Sequence, residues 1–367
     1  MKPALMKSGG QGVLIMAGGT GGHIFPGLAV ADALRQRNIP VRWLGAHGGM
    51  EACKVAAAGI DLDLVAIAGL RGKGLLRWML MPLLLLRAVW QARRLLEANR
   101  PGCAVSFGGY VAAPGGIAAW TKGIPLLVHE QNRIPGLTNR LLARFSQKIL
   151  QGFPGTFPQG MHPEDCGNPV RSEVAAIAEP NIRLGGRSGP VRLLVTGGSQ
   201  GAQVLNQVVP AALALLPANI QIEIRHQAGA RRQHEALEAY ATAGVVAQVQ
   251  PFIDDMAEAY AWADLVICRS GALTIAELAA AGLASVLVPY AYATDDHQTR
   301  NAQYLSSVGA AIILPQVSLD APVLAAALTP LISDRSVLLS MAISARNLAL
   351  PDAAEKVVEA CAEWVGR

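Results

Sequence analysis

Two glycine-rich segments of this sequence have the composition of phosphate-binding turns. Gly18-Gly19-Thr20-Gly21-Gly22 follows an apolar run at residues 13–16, and a second glycine-rich segment, 196–201, follows an apolar run at 191–195. Each apolar run predicts a buried strand, and a helical pattern follows each glycine-rich segment. A turn between a strand and a helix presents main-chain N–H groups and the positive end of the helix dipole. The sequence therefore predicts an anion-binding turn in each half of the chain.

A dinucleotide-binding turn is the main alternative for these segments. Such a turn requires the spacing G-x-G-x-x-G and an acidic residue at the end of the second strand, where it binds the ribose. The first turn reads G-G-T-G-G, and the second strands end at Leu44-Gly45 and His226-Gln227, without an acid. This pattern argues against NAD-type binding. A purely structural use of the glycines, for tight packing, remains an alternative.

Three titratable side chains are candidates for proton transfer. His23 directly follows the first glycine-rich turn, and a histidine is well suited to accept a proton near neutral pH. His129 and Glu130 end a predicted strand and are rival candidates for the general base. The alternatives are that His23 caps the turn or binds the donor sugar, and that His129 and Glu130 anchor a loop.

The elements that carry these residues alternate between strands and helices in both halves. This alternation predicts an α/β fold with parallel sheets covered by helices on both faces. The predicted strands are residues 13–16, 41–44, 104–106, 125–129 and 148–150 in the first half, and 191–195, 221–225, 246–249, 264–268 and 285–289 in the second. The helical patterns include residues 26–34, 202–216 and 353–365. Two glycine-rich openings predict two Rossmann-like, doubly wound domains that face a cleft, rather than one long sheet.

The segment 151–169 is rich in proline, glycine and polar residues, and we place the interdomain linker there. We expect a disordered lead-in at 1–12, a first domain at 13–165, a second domain at 166–352, and a C-terminal helix at 353–367 that packs back on the first domain. Polar residues and glycines follow the strands of both domains, at the edge where open α/β sheets bind ligands. The predicted cleft suits a nucleotide-activated donor on one side and a phosphate-bearing second substrate on the other.

The composition is apolar for a protein without a spanning helix. Of 367 residues, 52% are hydrophobic, and the mean hydropathy is +0.33. No stretch reaches the roughly 20 consecutive apolar residues that span a bilayer. Residues 1–12 lack the pattern of a signal peptide, so we expect the protein to stay in the cytoplasm. The five cysteines are far apart and lack metal-ligand spacing, which indicates free thiols.

The basic residues are concentrated in one segment. The net charge is +5, yet residues 64–96 alone contain six arginines and lysines and no acidic residue. An apolar run that begins at Trp78 lies between Arg77 and Arg87, whereas nucleic-acid binders interleave basic and aromatic residues over a surface, so we expect no nucleic acid. One interpretation is a buried helix with a proline near its start. The other, favoured by the missing acids, is a membrane-contact segment in which Trp78, Leu80 and Leu84 enter the bilayer interface while Arg77 and Arg87 meet anionic headgroups.

Several motifs occur in the order found in one family of bacterial enzymes. They are Gly18-Gly19-Thr20-Gly21-Gly22-His23, Phe107-Gly108-Gly109-Tyr110, His129-Glu130-Gln131-Asn132, Pro135-Gly136-Leu137-Thr138-Asn139, Gly167-Asn168-Pro169-Val170-Arg171, Gly197-Gly198-Ser199-Gln200-Gly201-Ala202, Phe252-Ile253-Asp254-Asp255-Met256, and the segment from Arg269-Ser270-Gly271-Ala272 to Glu277. Together they resemble the MurG family of N-acetylglucosaminyltransferases over nearly the whole chain. The resemblance implies a glycosyltransferase B fold. It assigns the acceptor and the membrane to domain 13–165 and UDP-N-acetylglucosamine to domain 166–352.

The resemblance also implies roles for individual positions. The implied donor contacts are Thr20, Gly21, Gly22, Asn132, Arg171, Ser199, Ile253, Ala272, Leu273, Thr274, Ile275, Ala276, Glu277 and Gln298, and the implied acceptor or diphosphate contacts are Gly18, Gly19, Gly108, Gly109 and Tyr110. Among the donor contacts, the main chain of Ile253 would bind uracil beside Arg171, Glu277 the ribose hydroxyls, Ser199 and residues 272–274 the diphosphate, Gln298 the sugar hydroxyls, and Asn132 the N-acetyl group.

The same resemblance implies an inverting single displacement without a metal or a cofactor, because N–H groups at a helix start stabilise the leaving diphosphate. The implied partners are UDP-N-acetylglucosamine, lipid I, an anionic membrane surface, and proteins of cell-wall synthesis and division. The implied location is the cytoplasmic face of the inner membrane, as a peripheral protein.

Purely structural roles are the alternatives for two of these residues, and two other functions compete for the whole chain. Thr274 and Glu277 have the spacing of a capping box, in which Glu277 would bond back to the start of its helix. Separately, Arg171 follows Asn168-Pro169, and its alternative is a solvated linker charge. A UDP-N-acetylglucosamine 2-epimerase of the same fold and a non-catalytic membrane scaffold are the competing functions. The apolar-basic segment and the first glycine-rich turn argue against the epimerase.

Overall fold

The computed structural model describes residues 12–67, 80–198 and 200–365. The chain forms two compact units: unit 1 comprises Met1–Val170 with Pro351–Arg367, and unit 2 comprises Arg171–Leu350. The predictions for residues 1–11 and for Arg77, Trp78 and Ser199 lie outside the described residues. Gly12, which we assigned to the disordered lead-in, is buried, and its carbonyl accepts a hydrogen bond from the Gly102 N–H at 2.9 Å.

Unit 1 contains a parallel sheet of seven strands in the order β3-β2-β1-β4-β5-β6-β7. Its strands are β1 (Val13–Ala17), β2 (Val41–Ala46), β3 (Asp61–Val65), β4 (Cys103–Gly108), β5 (Leu126–Glu130), β6 (Lys148–Gln151) and β7 (Glu164–Asp165). Its described helices are α1 (Gly21–Gln36), α2 (Met50–Ala57), α3 (Met81–Asn99), α4 (Ala112–Thr121), α5 (Leu137–Leu142) and the C-terminal helix Ala353–Ala362.

Both faces of this sheet are buried under helices. Successive residues of a strand point to opposite faces. Ile15 on β1 therefore joins one core layer with Trp43, whereas Met16 joins the other layer with Leu44. The C-terminal helix completes the first layer through Val357, and it packs against α1. Continuous burial explains why the central strands read as apolar runs in the sequence.

Unit 2 contains a second parallel sheet, of six strands in the order β10-β9-β8-β11-β12-β13. Its strands are β8 (Val191–Thr196), β9 (Ile222–Gln227), β10 (Gln248–Gln250), β11 (Leu265–Cys268), β12 (Ala284–Leu287) and β13 (Ala311–Ile313). Its helices are α6 (Ser172–Ala175), α7 (Pro180–Leu184), α8 (Gln203–Leu213), α9 (Gln233–Ala243), α10 (Met256–Trp262), α11 (Ala272–Ala281), α12 (His297–Ser306), α13 (Ala321–Ser333) and α14 (Arg335–Arg346).

The strand order reverses at the same place in both sheets. In unit 1 the reversal lies between β1 and β4, and in unit 2 between β8 and β11. Doubly wound sheets bind ligands at this switch point, outside the carboxyl ends of the strands. The two glycine-rich turns follow β1 and β8, so each lies at its switch point. The prediction of two doubly wound parallel sheets is confirmed.

Each predicted strand overlaps an observed one, but β3, β7 and β13 were not predicted. The first predicted helix also begins too late: α1 begins at Gly21 rather than at Pro26. Gly21, Gly22 and His23 therefore belong to the first turns of a helix and not to a loop. Among the described helices, no single one is long and apolar enough to cross a membrane, and one pair bent by 96°, Ala321–Ser333 with Arg335–Arg346, qualifies by length and composition.

Candidate active site

The first glycine-rich turn lies against the turn that follows the neighbouring strand β4. Gly109 has a φ of +84°, and a Cβ atom there would lie 2.1 Å from the Gly18 carbonyl oxygen. Only glycine permits this approach of two backbones. The Tyr110 ring covers Gly19, whose Cβ position would be 3.3 Å from Tyr110 Cε1. The structure thus brings together the five positions that the resemblance assigned to the acceptor or its diphosphate.

His23 lies in the first turn of α1 and is hydrogen-bonded to this glycine-rich turn. Its Nδ1 atom lies 3.2 Å from the Gly18 carbonyl oxygen and 3.4 Å from Thr20 Oγ1. A carbonyl oxygen can only accept a hydrogen bond, so Nδ1 carries the hydrogen in the contact with Gly18. In the neutral ring the lone pair is then on Nε2, which lies beside Gly108. This tautomer is the one that a base acting through Nε2 requires.

The rival bases His129 and Glu130 are anchors in this structure. His129 is fully buried; its Nε2–H donates to the Gly167 carbonyl at 2.9 Å, and its Nδ1 accepts from the Gln131 amide at 3.0 Å. Burial lowers the pKa of His129 to about 4, and the Gly167 contact offsets this only in part. Both ring nitrogens are therefore occupied in a neutral ring.

Glu130 binds four N–H groups, which fills the acceptor sites of a carboxylate. The donors are the Asn132 N–H and side-chain amide, the Gly136 N–H and the Asn139 amide, at 2.9–3.2 Å. The loop-anchor interpretation accounts for both residues. Four predicted donor contacts lie in unit 1: Thr20 and Gly22, which are exposed, and Gly21 and Asn132. Their roles stay predictions.

Unit 2 contains a cavity of about 750 Å³ at the carboxyl end of its sheet. The turn after β8 lines it with Gly197 and Gly198, and Thr274 and Gln298 are the predicted donor contacts among its lining residues. Within the second turn Gly201 has a φ of +72°, and a Cβ atom there would lie 1.9 Å from the Ala228 carbonyl oxygen. Glycine is therefore required here to bring the turn against the end of β9.

The cavity is suited to an anion. Helices α8 and α11 begin beside it at Gln203 and Ala272, and among the described residues no side chain caps either helix. The N–H groups of their first turns therefore suit an anionic ligand. Arg232 and Arg269 add positive charge to the lining. Burial lowers the pKa of Arg269, whose guanidinium donates to the Val288 carbonyl at 3.0 Å. These N–H groups and guanidinium groups suit a diphosphate.

Gln227, at the end of β9, connects two parts of this edge. Its amide donates to the Gly198 carbonyl at 3.0 Å, and its Oε1 accepts from the Ile253 N–H at 2.9 Å. The side chain is buried, so the two contacts are protected from water. The Ile253 N–H, which the resemblance assigned to uracil, is therefore engaged by Gln227 here. A base contact through this N–H requires Gln227 to release it.

Glu277 is buried on α11 and accepts hydrogen bonds from two side chains. Arg171 donates to its Oε1 at 2.8 and 3.3 Å, and the Tyr260 hydroxyl donates to its Oε2 at 3.1 Å. Burial lowers the pKa of Arg171, but the charge of Glu277, its hydrogen bond and smaller contributions from Tyr260 and Glu173 together outweigh burial and raise the pKa. The capping-box alternative is wrong, because the helix is capped by Gly271 and Thr274 lies inside its first turn. Arg171 is likewise no solvated linker charge.

Two of the remaining predicted donor contacts on α11, Ile275 and Ala272, are buried side chains. The Ile275 side chain is fully buried in the core, and its N–H donates to the Gly271 carbonyl at 3.0 Å. Neither group is presented to a ligand in this structure, and the donor contact of Ile275 stays a prediction. Ala272 is buried as well, so its contact is limited to the main chain. Leu273 and Ala276 are half-buried and stay predictions.

Family profiles match both units. Residues 13–151 match the N-terminal domain of glycosyltransferase family 28, and residues 192–357 match its C-terminal domain. The chain belongs to glycosyltransferase family 28. The predicted fold class, two Rossmann-like domains of the glycosyltransferase B type, is confirmed by this membership and by the two sheets.

A curated relative and two solved structures illustrate the similarity of this family 28 chain. The UDP-N-acetylglucosamine--N-acetylmuramyl-(pentapeptide) pyrophosphoryl-undecaprenol N-acetylglucosamine transferase of Marinobacter nauticus is 55% identical over 95% of this chain and 96% of that protein. The crystal structure of Acinetobacter baumannii MurG has a TM-score of 0.83 at 39% identity, over 96% of this chain and 99% of that one. A UDP-N-acetylglucosamine 2-epimerase from Neisseria meningitidis has a TM-score of 0.67 at 11% identity, over 96% of this chain and 99% of that one, which is a likeness of fold alone.

The described part of the membrane-contact segment lies on α3. Ala88, Ala92 and Leu96, which follow the apolar run on the same helix, are buried against α4. Within the run itself, none of the described residues 80–86 is buried, which argues against the buried-helix alternative for them. Leu80 is exposed, as are Leu83 and Leu86, each at 64%, whereas Leu84 is only half-buried. Arg87 is exposed among them.

Two helices farther along the same face of the sheet, α5 adds exposed apolar side chains. Leu137 is 70% exposed and Leu141 is exposed as well, and so is Phe145, which follows the end of the helix. Sequence reasoning missed this second apolar surface, because its exposed residues are separated along the sequence and form no continuous apolar run.

Three buried residues of the site were also missed: Glu51, Gln227 and Tyr260. Gln227 and Glu51 bind mainly main-chain groups, which leave no pattern in side-chain types. Tyr260 contacts Glu277 across 17 positions of the sequence, so no local spacing indicates it.

Proposed function

We propose that this family 28 glycosyltransferase transfers N-acetylglucosamine from UDP-N-acetylglucosamine to the undecaprenyl-diphosphate-linked N-acetylmuramyl-pentapeptide, converting lipid I to lipid II in peptidoglycan synthesis. The observation that carries the proposal is the anion-suited cavity of unit 2, on a chain 55% identical to a transferase named for this reaction. The diphosphate of the donor lies against the starts of α8 and α11, and the sugar lies toward Gln298.

Glu277 supports this assignment as the partner of the ribose. A carboxylate has about four acceptor sites, and Arg171 and Tyr260 occupy three of them. One site is left for a ribose hydroxyl, and further acceptance requires Arg171 or Tyr260 to turn away. The role of Arg171 is to hold the carboxylate in place.

His23 is the general base of the proposed reaction. Its Nε2 takes the proton from the acceptor hydroxyl while the hydroxyl oxygen attacks the anomeric carbon of the donor sugar. The bond between that carbon and the diphosphate oxygen breaks, and UDP leaves with the negative charge. The single displacement inverts the anomeric carbon, and the N–H groups of α8 and α11 stabilise the leaving diphosphate.

The exposed apolar surfaces of α3 and α5 support a peripheral location at the cytoplasmic face of the inner membrane. Leu83 and Leu86 are large apolar side chains beside Arg87, and Leu137 and Leu141 lie beside Arg140. Apolar side chains rimmed by arginines fit an anionic bilayer surface, where each basic residue contributes about 1 kcal/mol. Proteins of cell-wall synthesis and division are further proposed partners.

The decisive experiment measures UDP release from UDP-N-acetylglucosamine with and without a lipid-linked muramyl diphosphate. We expect release to depend on this acceptor, and labelled N-acetylglucosamine to appear in the lipid product. Isomerisation of the donor without acceptor would instead identify a 2-epimerase. Binding of UDP without either reaction would identify a non-catalytic scaffold. Isomerisation alone and binding alone would each contradict the proposal.

A further inference from the structure

A fully buried carboxylate, Glu51, lies beneath the first glycine-rich turn and is not among the proposed donor or acceptor contacts. Glu51 is in the first turn of α2, and its side chain is 0% exposed. Its Oε1 accepts a hydrogen bond from the Ala46 N–H at 3.0 Å, and its Oε2 accepts from the Gly19 N–H at 3.3 Å. These partners are main-chain groups and carry no compensating full charge. Burying a carboxylate in this way costs free energy, and a functional role for the side chain would explain that cost.

The space around Glu51 is shaped to fit this side chain. A Cβ atom at Gly18 would lie 2.7 Å from its Oε1, one at Gly49 would lie 2.3 Å from the same atom, and one at Gly45 would lie 2.8 Å from its Cγ. Three glycines from three different segments therefore surround the side chain. The position of the carboxylate relative to the turn is fixed by sterics from all of these segments.

One peptide group connects Glu51 to His23. The N–H of the peptide between Gly18 and Gly19 donates to Glu51 Oε2, and the C=O of the same peptide accepts from His23 Nδ1 at 3.2 Å. The two ends of a peptide group are conjugated, so an anion at the N–H increases the negative charge on the oxygen. A stronger acceptor at Gly18 favours the hydrogen on Nδ1 and stabilises a positive imidazolium.

We propose that Glu51 is a positioning residue that acts on His23 through the Gly18–Gly19 peptide. It holds the ring in the tautomer with hydrogen on Nδ1, and it supports the charge that His23 acquires when Nε2 takes the proton of the acceptor hydroxyl. Glu51 itself exchanges no proton in this step. The proposal rests on the base role of His23 given under the proposed function.

The other titratable groups near the turn are less directly connected to His23. Tyr110, from the loop after β4, covers Gly19, and its pKa is raised by its burial and by the charge of Glu51. Glu130, at the end of β5, is connected to this turn through the Asn139 amide, which lies near Gly108. Among the described contacts, Glu51 is the carboxylate joined to the His23 ring by two successive hydrogen bonds.

The test is an NMR titration of the His23 ring nitrogens in the full-length protein without substrate. In the wild type we expect hydrogen on Nδ1 of the neutral ring. Glu51→Gln should lower the pKa of His23 by about one pH unit, because removing an anion disfavours the imidazolium. In the transfer assay the acidic limb of the pH–rate profile should move to lower pH by the same amount. The plateau kcat should fall roughly 10-fold or more, as for loss of a residue that orients a catalytic group.

Asp63→Asn is the matched control. Asp63 is a carboxylate of β3 in the same unit that pairs with Arg42 at 3.1 Å, outside the turn. Its replacement should leave the His23 tautomer and the acidic limb in place. An unchanged His23 pKa in folded Glu51→Gln would overturn the proposal.

The wild-type tautomer decides the question even if Glu51→Gln fails to fold. Hydrogen on Nε2 of the neutral wild-type ring would contradict the relay through Gly18. If the NMR shift appears but the acidic limb does not follow His23, the base role fails and the relay stands. The two proposals are therefore tested separately.

Discussion

Replacing Glu277 by alanine should weaken UDP binding by roughly 10- to 100-fold. Three acceptor positions of this carboxylate are occupied by Arg171 and Tyr260, so the described geometry leaves one for the ribose. A hydrogen bond to a charged group contributes about 1.5–3 kcal/mol, and about 1.4 kcal/mol corresponds to a tenfold change in Kd. One lost bond thus gives the stated range, and a second one would increase it further.

The same substitution should also destabilise unit 2. The Tyr260 hydroxyl is buried and loses its acceptor, which costs about 1–3 kcal/mol. The Arg171 side chain is 38% exposed and can turn to water, so its lost ion pair adds at most about 1 kcal/mol. We expect the free energy of unfolding to fall by about 1–4 kcal/mol, measured by urea denaturation with and without UDP.

Asp264→Ala is the control that separates an effect on UDP binding from an effect on the stability of unit 2. Asp264 is a buried carboxylate of unit 2 that pairs with Arg187 at 2.6 Å and Arg335 at 2.9 Å, at the start of β11 and away from the carboxyl edge. This control should lose stability and keep the Kd of UDP, as measured by calorimetry. If folded Glu277→Ala binds UDP within twofold of the wild type, the ribose role of Glu277 is wrong.

Three further predictions concern catalysis, membrane binding and pH. His23→Ala should lower kcat by about 10²- to 10⁴-fold and abolish the acidic limb of the pH–rate profile. The control His234→Ala, at an exposed histidine of unit 2, should do neither. A reduced affinity with the acidic limb intact would make His23 a binding residue. Replacing Leu83 and Leu86 by serine should reduce cosedimentation with anionic vesicles without changing UDP binding, and unchanged cosedimentation would place the membrane contact elsewhere. His226 is buried between Tyr240 and Asn206, and burial lowers its pKa to about 4 from 6.5. As the pH falls, His226 gains a proton near pH 6.5 in the unfolded chain but only near pH 4 in the folded chain. The free energy of unfolding should therefore fall as the pH falls through this window, by up to about 1.4 kcal/mol per pH unit. Unfolding measured at pH 7 and pH 5 should show a smaller loss in His226→Phe, and an equal loss would contradict the assignment.

The strands and glycine-rich turns were predictable because their signals are local. A strand buried on both faces reads as an apolar run, and the glycine-rich segments stand directly after β1 and β8. The strand β3 was missed because its sequence, DLDLV, places Asp61 and Asp63 toward Arg42 on β2. Its charges are paired across strands, which a reading along the sequence does not detect.

The candidate site was less predictable, because its contacts join distant segments. Glu130 was a candidate base by residue type, but four N–H donors occupy its carboxylate, and three of them come from one loop. Thr274 and Glu277 had the spacing of a capping box, yet Glu277 contacts Arg171 across 106 positions. Residue type and spacing thus pointed to the candidate residues, while the partner of each side chain depended on the tertiary fold.

The position of the C-terminal helix has a consequence for synthesis on the ribosome. The helix Ala353–Ala362 supplies Val357, Val358 and Cys361 to the core layer that contains Val13 and Ile15 of β1. All of Arg171–Leu350 is translated between these two parts of one core. The apolar face of α1 therefore lacks its covering helix until all of unit 2 has been translated. A chain that ends near residue 350 would expose that face, so unit 1 cannot complete its core before the last segment is made, although its first strand is translated first.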